Sequence, residues 1–148
     1  MKIKLSIDSK ETIELSLSET ANFIGWMDDE AKYASFFSLL AEHPSSEVRC
    51  VAANKNCVPL KVLKQLARDS SIEVVRTVAS NETALKKFKA SLIQEMIARD
   101  VSVAMAVADS LYFFGEALHE DVIQTLLQHD DPKVVETTES FVRERVAN

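Results

Sequence analysis

A chain of 148 residues, 47% of them hydrophobic, can bury roughly 68–70% of the surface its unfolded form exposes, so a single domain needs no metal or disulfide staple. Only two glycines and three prolines are present, and no apolar run approaches ~18 residues; this excludes long flexible linkers, Gly-rich phosphate loops and a membrane-spanning helix. The net charge of −6 is unevenly spread: residues 1–45 carry −4, residues 46–90 carry +5 and residues 91–148 carry −7, a last third that repels nucleic acid and anionic membrane.

The segment Met1 to Leu5 lacks the apolar core of a signal peptide, so a cytoplasmic protein is expected. Ile3, Leu5 and Ile7, then Ile13, Leu15 and Leu17, alternate with polar residues and predict two half-buried strands. Asp8 to Glu11 forms the turn between them. An isolated hairpin is marginal in water, so its apolar face is expected to lie on helices and to cap one end of the molecule. Ser18 reads as the N-cap of a short helix carrying Phe23, Ile24, Trp26 and Met27. Asp28 and Asp29 open a second helix with Tyr33, Phe36, Phe37, Leu39 and Leu40, stopped by Pro44. Phe23, Trp26, Phe36 and Phe37 are expected to share one core.

The strongest signal follows. Val48-Arg49-Cys50-Val51-Ala52-Ala53-Asn54 recurs 27 residues later as Val75-Arg76-Thr77-Val78-Ala79-Ser80-Asn81. Repetition at this spacing marks supersecondary units that bury their apolar faces only by stacking. The apolar segments ending at His43, Asp69, Asp100 and Asp130 each meet a polar break, then a second helix rich in β-branched and small residues, giving four helix pairs. Ser45 or Ser46, Ser70 or Ser71, Asp100, and Asp130 or Asp131 are N-cap candidates at the breaks. Asn54 and Asn81 read as helix C-caps, or as side chains that accept from and donate to the backbone of the next turn. The final helix, with Val134, Val135, Phe141, Val142 and Val146, would close the stack.

The run from His43 to Asn54 and that from Pro59 to Asp69 resemble the variant leucine-rich repeat, a relative in style of HEAT and armadillo repeats, over residues ~39–85. The resemblance implies a mainly α fold. It would be a short α-solenoid of about four helical hairpins, with residues 1–18 as a β-hairpin cap and 19–148 as helical repeats of one domain. It also implies that Asp69 ties to Arg76 between adjacent turns. Variant repeats are known with an iron–sulphur cluster, but Cys50 and Cys57 do not supply four ligands, so no cofactor is expected; Cys50 reads as a small buried hydrophobe and Cys57 as an unpaired thiol near a turn.

His43 and His129 sit at corresponding helix ends, where a cationic ring would complement the helix dipole. No HExxH or comparable metal spacing exists, and no catalytic or metal-binding residue is assigned. Lys61, Lys64 and Arg68 recur at i, i+3 and i+7 as a basic face, near Lys86, Lys87 and Lys89, and Arg49 and Arg76 could extend it. Glu116, Glu120, Asp121, Asp130, Asp131 and Glu136 form the acidic counterpart, which would steer a basic partner and discriminate against others. Tyr112, Phe113 and Phe114 cannot all face one core on a helix, so at least one reaches the surface, as a binding hot spot or homodimer contact, or packs in a bend at Gly115. These residues point to a non-enzymatic protein-binding module or scaffold of split charge, of which a bacterial inhibitor or immunity-type protein is one form. Membrane is not expected as a partner. The rival class is a HEAT-like DNA-binding protein or DNA glycosylase.

Overall fold

The computed structural model describes residues 2–8, 10–114 and 118–147. Among them lie a two-stranded antiparallel sheet, one 3-10 turn and ten α-helices. Strand β1 (Lys4–Ile7) pairs with β2 (Glu11–Glu14), Leu5 opposite Ile13 and Ile7 opposite Glu11. The helices are α1 (Leu17–Gly25), α2 (Ala34–Leu40), α3 (Ser46–Ala53), α4 (Leu60–Leu66), α5 (Ile72–Val78), α6 (Glu82–Lys87), α7 (Ala90–Ile97), α8 (Val101–Phe114), α9 (Glu120–Leu127) and α10 (Pro132–Ala147). Helices α1, α3, α5, α8 and α10 pack each on the next. On their other side α4 meets α6, and α7 meets α9. One continuous core runs between, from Ile24 through Phe37, Leu63, Val75, Ile93 and Val107 to Val134.

The breaks expected between paired helices are present, and one local device recurs at all four. The side chain two residues ahead accepts a backbone N–H: His43 Nδ1 from Ser45 (3.1 Å), Asp69 Oδ1 from Ser71 (2.8 Å), Asp100 Oδ1 from Ser102 (2.8 Å) and His129 Nδ1 from Asp131 (3.0 Å). Such side-chain-to-backbone bonds stop one helix and satisfy the orphan donors at the start of the next. Both imidazoles therefore act as acceptors at Nδ1, as a neutral ring does, which corrects the cationic role expected of them. Asp100 and Asp131 cap their helices through side chains, Asp131 taking the Lys133 N–H at 2.9 Å. Ser45 and Ser71 hold the N-cap positions without a side-chain bond.

The 27-residue interval of the septet returns as physical contact. Asp29 accepts from the Asn56 and Cys57 amides, both at 2.7 Å, and Asn56 Oδ1 accepts from the Thr83 amide at 3.1 Å. Gln94 donates to Thr125 at 2.9 Å, and Arg99 donates to the Asp69 carbonyl at 2.6 Å. These partners stand 27 to 31 positions apart. Asn54 ends α3, the first of the two roles read for these residues, whereas Asn81 takes the second and does not end a helix. It begins α6, accepting the Ala84 N–H at 2.9 Å, and donates to the Ala53 carbonyl at 3.0 Å from a buried position.

Several other expectations are corrected. Ser16, not Ser18, caps α1, in a reciprocal box with Glu19. Asp28 and Asp29 do not open α2; a 3-10 turn (Ala31–Tyr33) precedes it, and Asp29 is spent on the amides of the α3–α4 loop. Of the four aromatics assigned to one core, Phe37 is buried and Phe36 partly so, whereas Phe23 is 45% and Trp26 89% exposed. The helix presents Thr20 and Ile24 inward, and Phe23 and Trp26 fall on its other side. Ile13 is 59% exposed and the second strand is exposed throughout, whereas Ile3 packs on the core. In α10, Val134 is buried and Phe141 and Val142 pack on the core, but Val146 faces solvent. Among the described residues, no helix is long and apolar enough to cross a membrane.

Candidate functional site

A groove of about 500 Å³ lies between α5 and α8. Its origin is a mismatch of lengths. Helix α8 has 14 residues and α5 has 7, so at 1.5 Å per residue α8 outruns its neighbour by about 10 Å. The two touch over a shorter stretch than α3 with α5 or α8 with α10. Arg76 and Ser80 form one wall; Ser102, Met105, Ala106, Asp109, Ser110, Phe113 and Phe114 form the floor and the other. Ala106 and Ser110 keep the floor low, and the Ser110 hydroxyl is turned inward to the Ala106 carbonyl at 2.7 Å.

The three consecutive aromatics part company here. Tyr112 packs edge-on against Phe141 of α10, with ring centroids 5.8 Å apart. Phe114 lies under the Lys86 ammonium at 5.5 Å. Phe113 is left 78% exposed at the groove rim, the surface aromatic that the sequence required. Gly115 and Glu116 lie outside the described residues, and with them the expected bend and one acidic candidate. The groove thus unites Arg76, Phe113 and Phe114. Met105, Asp109 and Ser80 join them without having been singled out; the signal for them in sequence was helical spacing, Ser80 four residues after Arg76, and Asp109 four and Met105 eight before Phe113.

The remaining basic candidates do not form one face. Arg49 is structural: its Nε and Nη2 grip Asp69 at 2.7 and 2.8 Å, and its Nη1 reaches the His43 and Pro44 carbonyls at 2.8 and 3.0 Å. Asp69 therefore ties to Arg49 and not, as the resemblance implied, to Arg76, which pairs with Glu73 one turn away on its own helix. Burial pushes the Asp69 carboxyl up, but the Arg49 hydrogen bonds, the Ser71 amide and the charges of Arg49 and Arg99 outweigh it and hold it below the ordinary carboxylate value. Arg68 is held by Glu95 at 2.9 and 2.7 Å. Lys64, Arg68 and Lys89 line a smaller cleft of about 260 Å³ between α4 and α7, while Lys61 stands exposed on α4. A basic group missed in sequence is Lys55: it is buried, sits 5.2 Å from the Phe37 ring and donates to the Gly25 and Met27 carbonyls.

The acidic candidates also divide by role. Asp131 is committed to the cap of α10. Glu120 and Asp121 lie in the first turn of α9, where the helix dipole favours them, and Glu120 stands 4.0 Å from Arg145. Asp130 and Glu136 are exposed. Cys50 and Cys57 are both free thiols. Burial, then the hydrogen bond to Asp29 and its negative charge, pushes the Cys57 thiol up to about 11.

Among the described residues, no imidazole, thiol or lysine amine lines the groove beside Asp109. What the lining offers is an exposed phenyl ring, a thioether, hydroxyls and two charges of opposite sign. Among the described residues, no three His, Cys, Asp or Glu side chains converge to hold a metal ion. No protein-family model, curated protein or solved structure matches the chain.

Proposed function

We propose that this chain is a non-enzymatic protein-binding module, a short α-solenoid of about four helical hairpins in the manner of HEAT, armadillo or variant leucine-rich repeats, which docks a protein through the α5–α8 groove. One observation carries the reading: Phe113, 78% exposed at the rim of a groove that also holds Arg76, Met105 and Asp109. A large aromatic held in water beside a concave mixed surface is the composition of an interface hot spot. The solenoid itself is supported by the septet, by breaks built alike four times and by contacts that return at 27 to 31 residues. The exposed acids Glu120, Asp121, Asp130 and Glu136 favour a basic partner, as an inhibitor or immunity-type protein would meet.

The chain immobilised as bait, beside Phe113→Ala, tests this. A stoichiometric protein retained by the first and lost from the second is expected. A partner held equally by both would move the docking surface elsewhere, and no partner across growth conditions would defeat the reading. The DNA-binding alternative is weakened because Arg49, Arg68 and Arg76 are each paired with a carboxylate. Phosphate contacts release counterions and strengthen steeply at low salt, so a gel shift at ~50 mM salt would revive it.

A further inference from the structure

The groove carries one uncompensated charge. Arg76 donates through Nε and Nη2 to Glu73 at 3.1 and 2.7 Å, and Lys86 pairs with Glu82 at 2.5 Å. Asp109 has no such partner among the described residues, and α8 from Val101 to Phe114 contains no basic residue. Four residues before Asp109 stands Met105, four after it stands Phe113, and all three line the groove. Successive members of that stripe are about one helical turn, or ~6 Å, apart along α8.

An extended chain repeats its same-face side chains every second residue, at about 6.6 Å. The two spacings match. A strand laid along α8 therefore sets residues i, i+2 and i+4 against thioether, carboxylate and phenyl in turn. Across the groove the Arg76 Nη1 and the Ser80 hydroxyl donate to no group among the described residues and are available to carbonyls of that strand.

We infer that the α5–α8 groove takes an extended protein segment of the pattern apolar–x–Lys/Arg–x–apolar, its basic residue on Asp109 and its apolar residues on Met105 and Phe113. This rests on the protein-docking reading above and adds the chemistry of what docks. The basic residue supplies the counter-charge that α8 lacks, and Phe113 the buried anchor.

A phage-displayed library of random dodecapeptides, panned on the full chain at ~50 mM salt, is the probe, followed by anisotropy titration of one enriched synthetic peptide. The selected sequences are expected to share Lys or Arg flanked at two residues on each side by large apolar residues. Asp109→Asn should weaken that peptide about fivefold, as an exposed charge pair does, and Phe113→Ala more than tenfold. Asp109→Lys should select acid-centred peptides instead. Both positions are exposed, and unchanged circular dichroism certifies the fold. Enrichment of peptides without a basic residue, equal binding to Asp109→Asn, or no enrichment at all overturns the inference. If the peptide chemistry fails while Phe113→Ala still abolishes capture of a native partner, the docking surface stands without it. If the pattern is found but capture ignores Phe113→Ala, the docking function falls and the peptide chemistry stands.

Discussion

Asp69 and Arg49 show how much a single residue's assignment depends on distance. Both belong to the septet region, yet the pairing read from family resemblance joined Asp69 to Arg76, seven residues on, because spacing alone cannot tell a neighbour in sequence from a neighbour in space. The pair Arg49–Asp69 is shielded, its side chains 14% and 10% exposed, whereas Arg76 and Glu73 are 50% and 63% exposed. Removing one member of a shielded pair strands the other, at a cost of about 3 kcal/mol; removing one member of an exposed pair costs within about 1 kcal/mol. Urea unfolding of Asp69→Ala and Arg76→Ala should show that contrast, and equal losses would return the tie to Arg76. The acid limb follows from the same geometry. The folded Asp69 carboxyl sits below its ordinary 3.8, so its contribution is complete above about pH 4 and is lost as pH falls through the folded value. Asp69→Asn should accordingly flatten the fall in stability below pH 4. At Cys57 the shift runs upward, to about 11 from an ordinary 9.0. At pH 8 the thiolate is then about 1 in 1,000 instead of about 1 in 10, so iodoacetamide should modify native Cys57 about 100-fold more slowly than the urea-unfolded chain. Comparable rates in both states would show that Asp29 and burial do not govern this thiol.

At the scale of elements, the breaks were legible and their mechanism only partly so. Polar residues after an apolar run announce a helix end, and four of them placed the pairs α2–α3, α4–α5, α7–α8 and α9–α10. That His43 and His129 serve where Asp69 and Asp100 serve needed the structure, since an imidazole nitrogen and a carboxylate oxygen share no pattern, only the ability to accept an N–H. Helix α6 stayed hidden because Asn81 copies Asn54 at 27 residues, while α4 and α7 begin 30 residues apart. The extra residues let Asn81 start a helix where Asn54 ends one. The outward turn of Trp26 was hidden too, since α1 is short and offers apolar residues on more than one side. If the break device is a common part, its members are interchangeable. His129→Asp should keep the acceptor for the Asp131 N–H and lie within about 0.5 kcal/mol of wild type, whereas His129→Ala should lose about 1 kcal/mol, the usual cost of a lost cap. Thermal unfolding of the two variants decides it, and an equal loss in both would mean the ring does something other than accept that bond.

For the whole molecule, the groove is a consequence of unequal parts. A single continuous core from Ile24 to Val134 argues for one cooperative unit, as chains below 150 residues usually are. The thinner contact between α5 and α8 argues that the two ends could come apart, because units that touch only their neighbours share stability through each junction in turn. Nothing in the sequence signals that junction, which depends on where α5 stops beside a longer α8. The core decides between the two tendencies, since Val75, Val78, Val103 and Val107 are fully buried from both sides of the seam. Leu40, 2% exposed, and Leu126, fully buried, lie toward opposite ends, and alanine at either should cost about 2–5 kcal/mol. Because the seam is filled, each variant should still unfold in one step by circular dichroism, with its midpoint lowered and its slope on denaturant unchanged. A second step in Leu40→Ala, with hydrogen exchange lost from α2 and α3 while α8 to α10 stay protected, would show that the groove marks a true division of the fold. The partner segment would then bind across two bodies, and its affinity would rise with anything that holds α5 against α8.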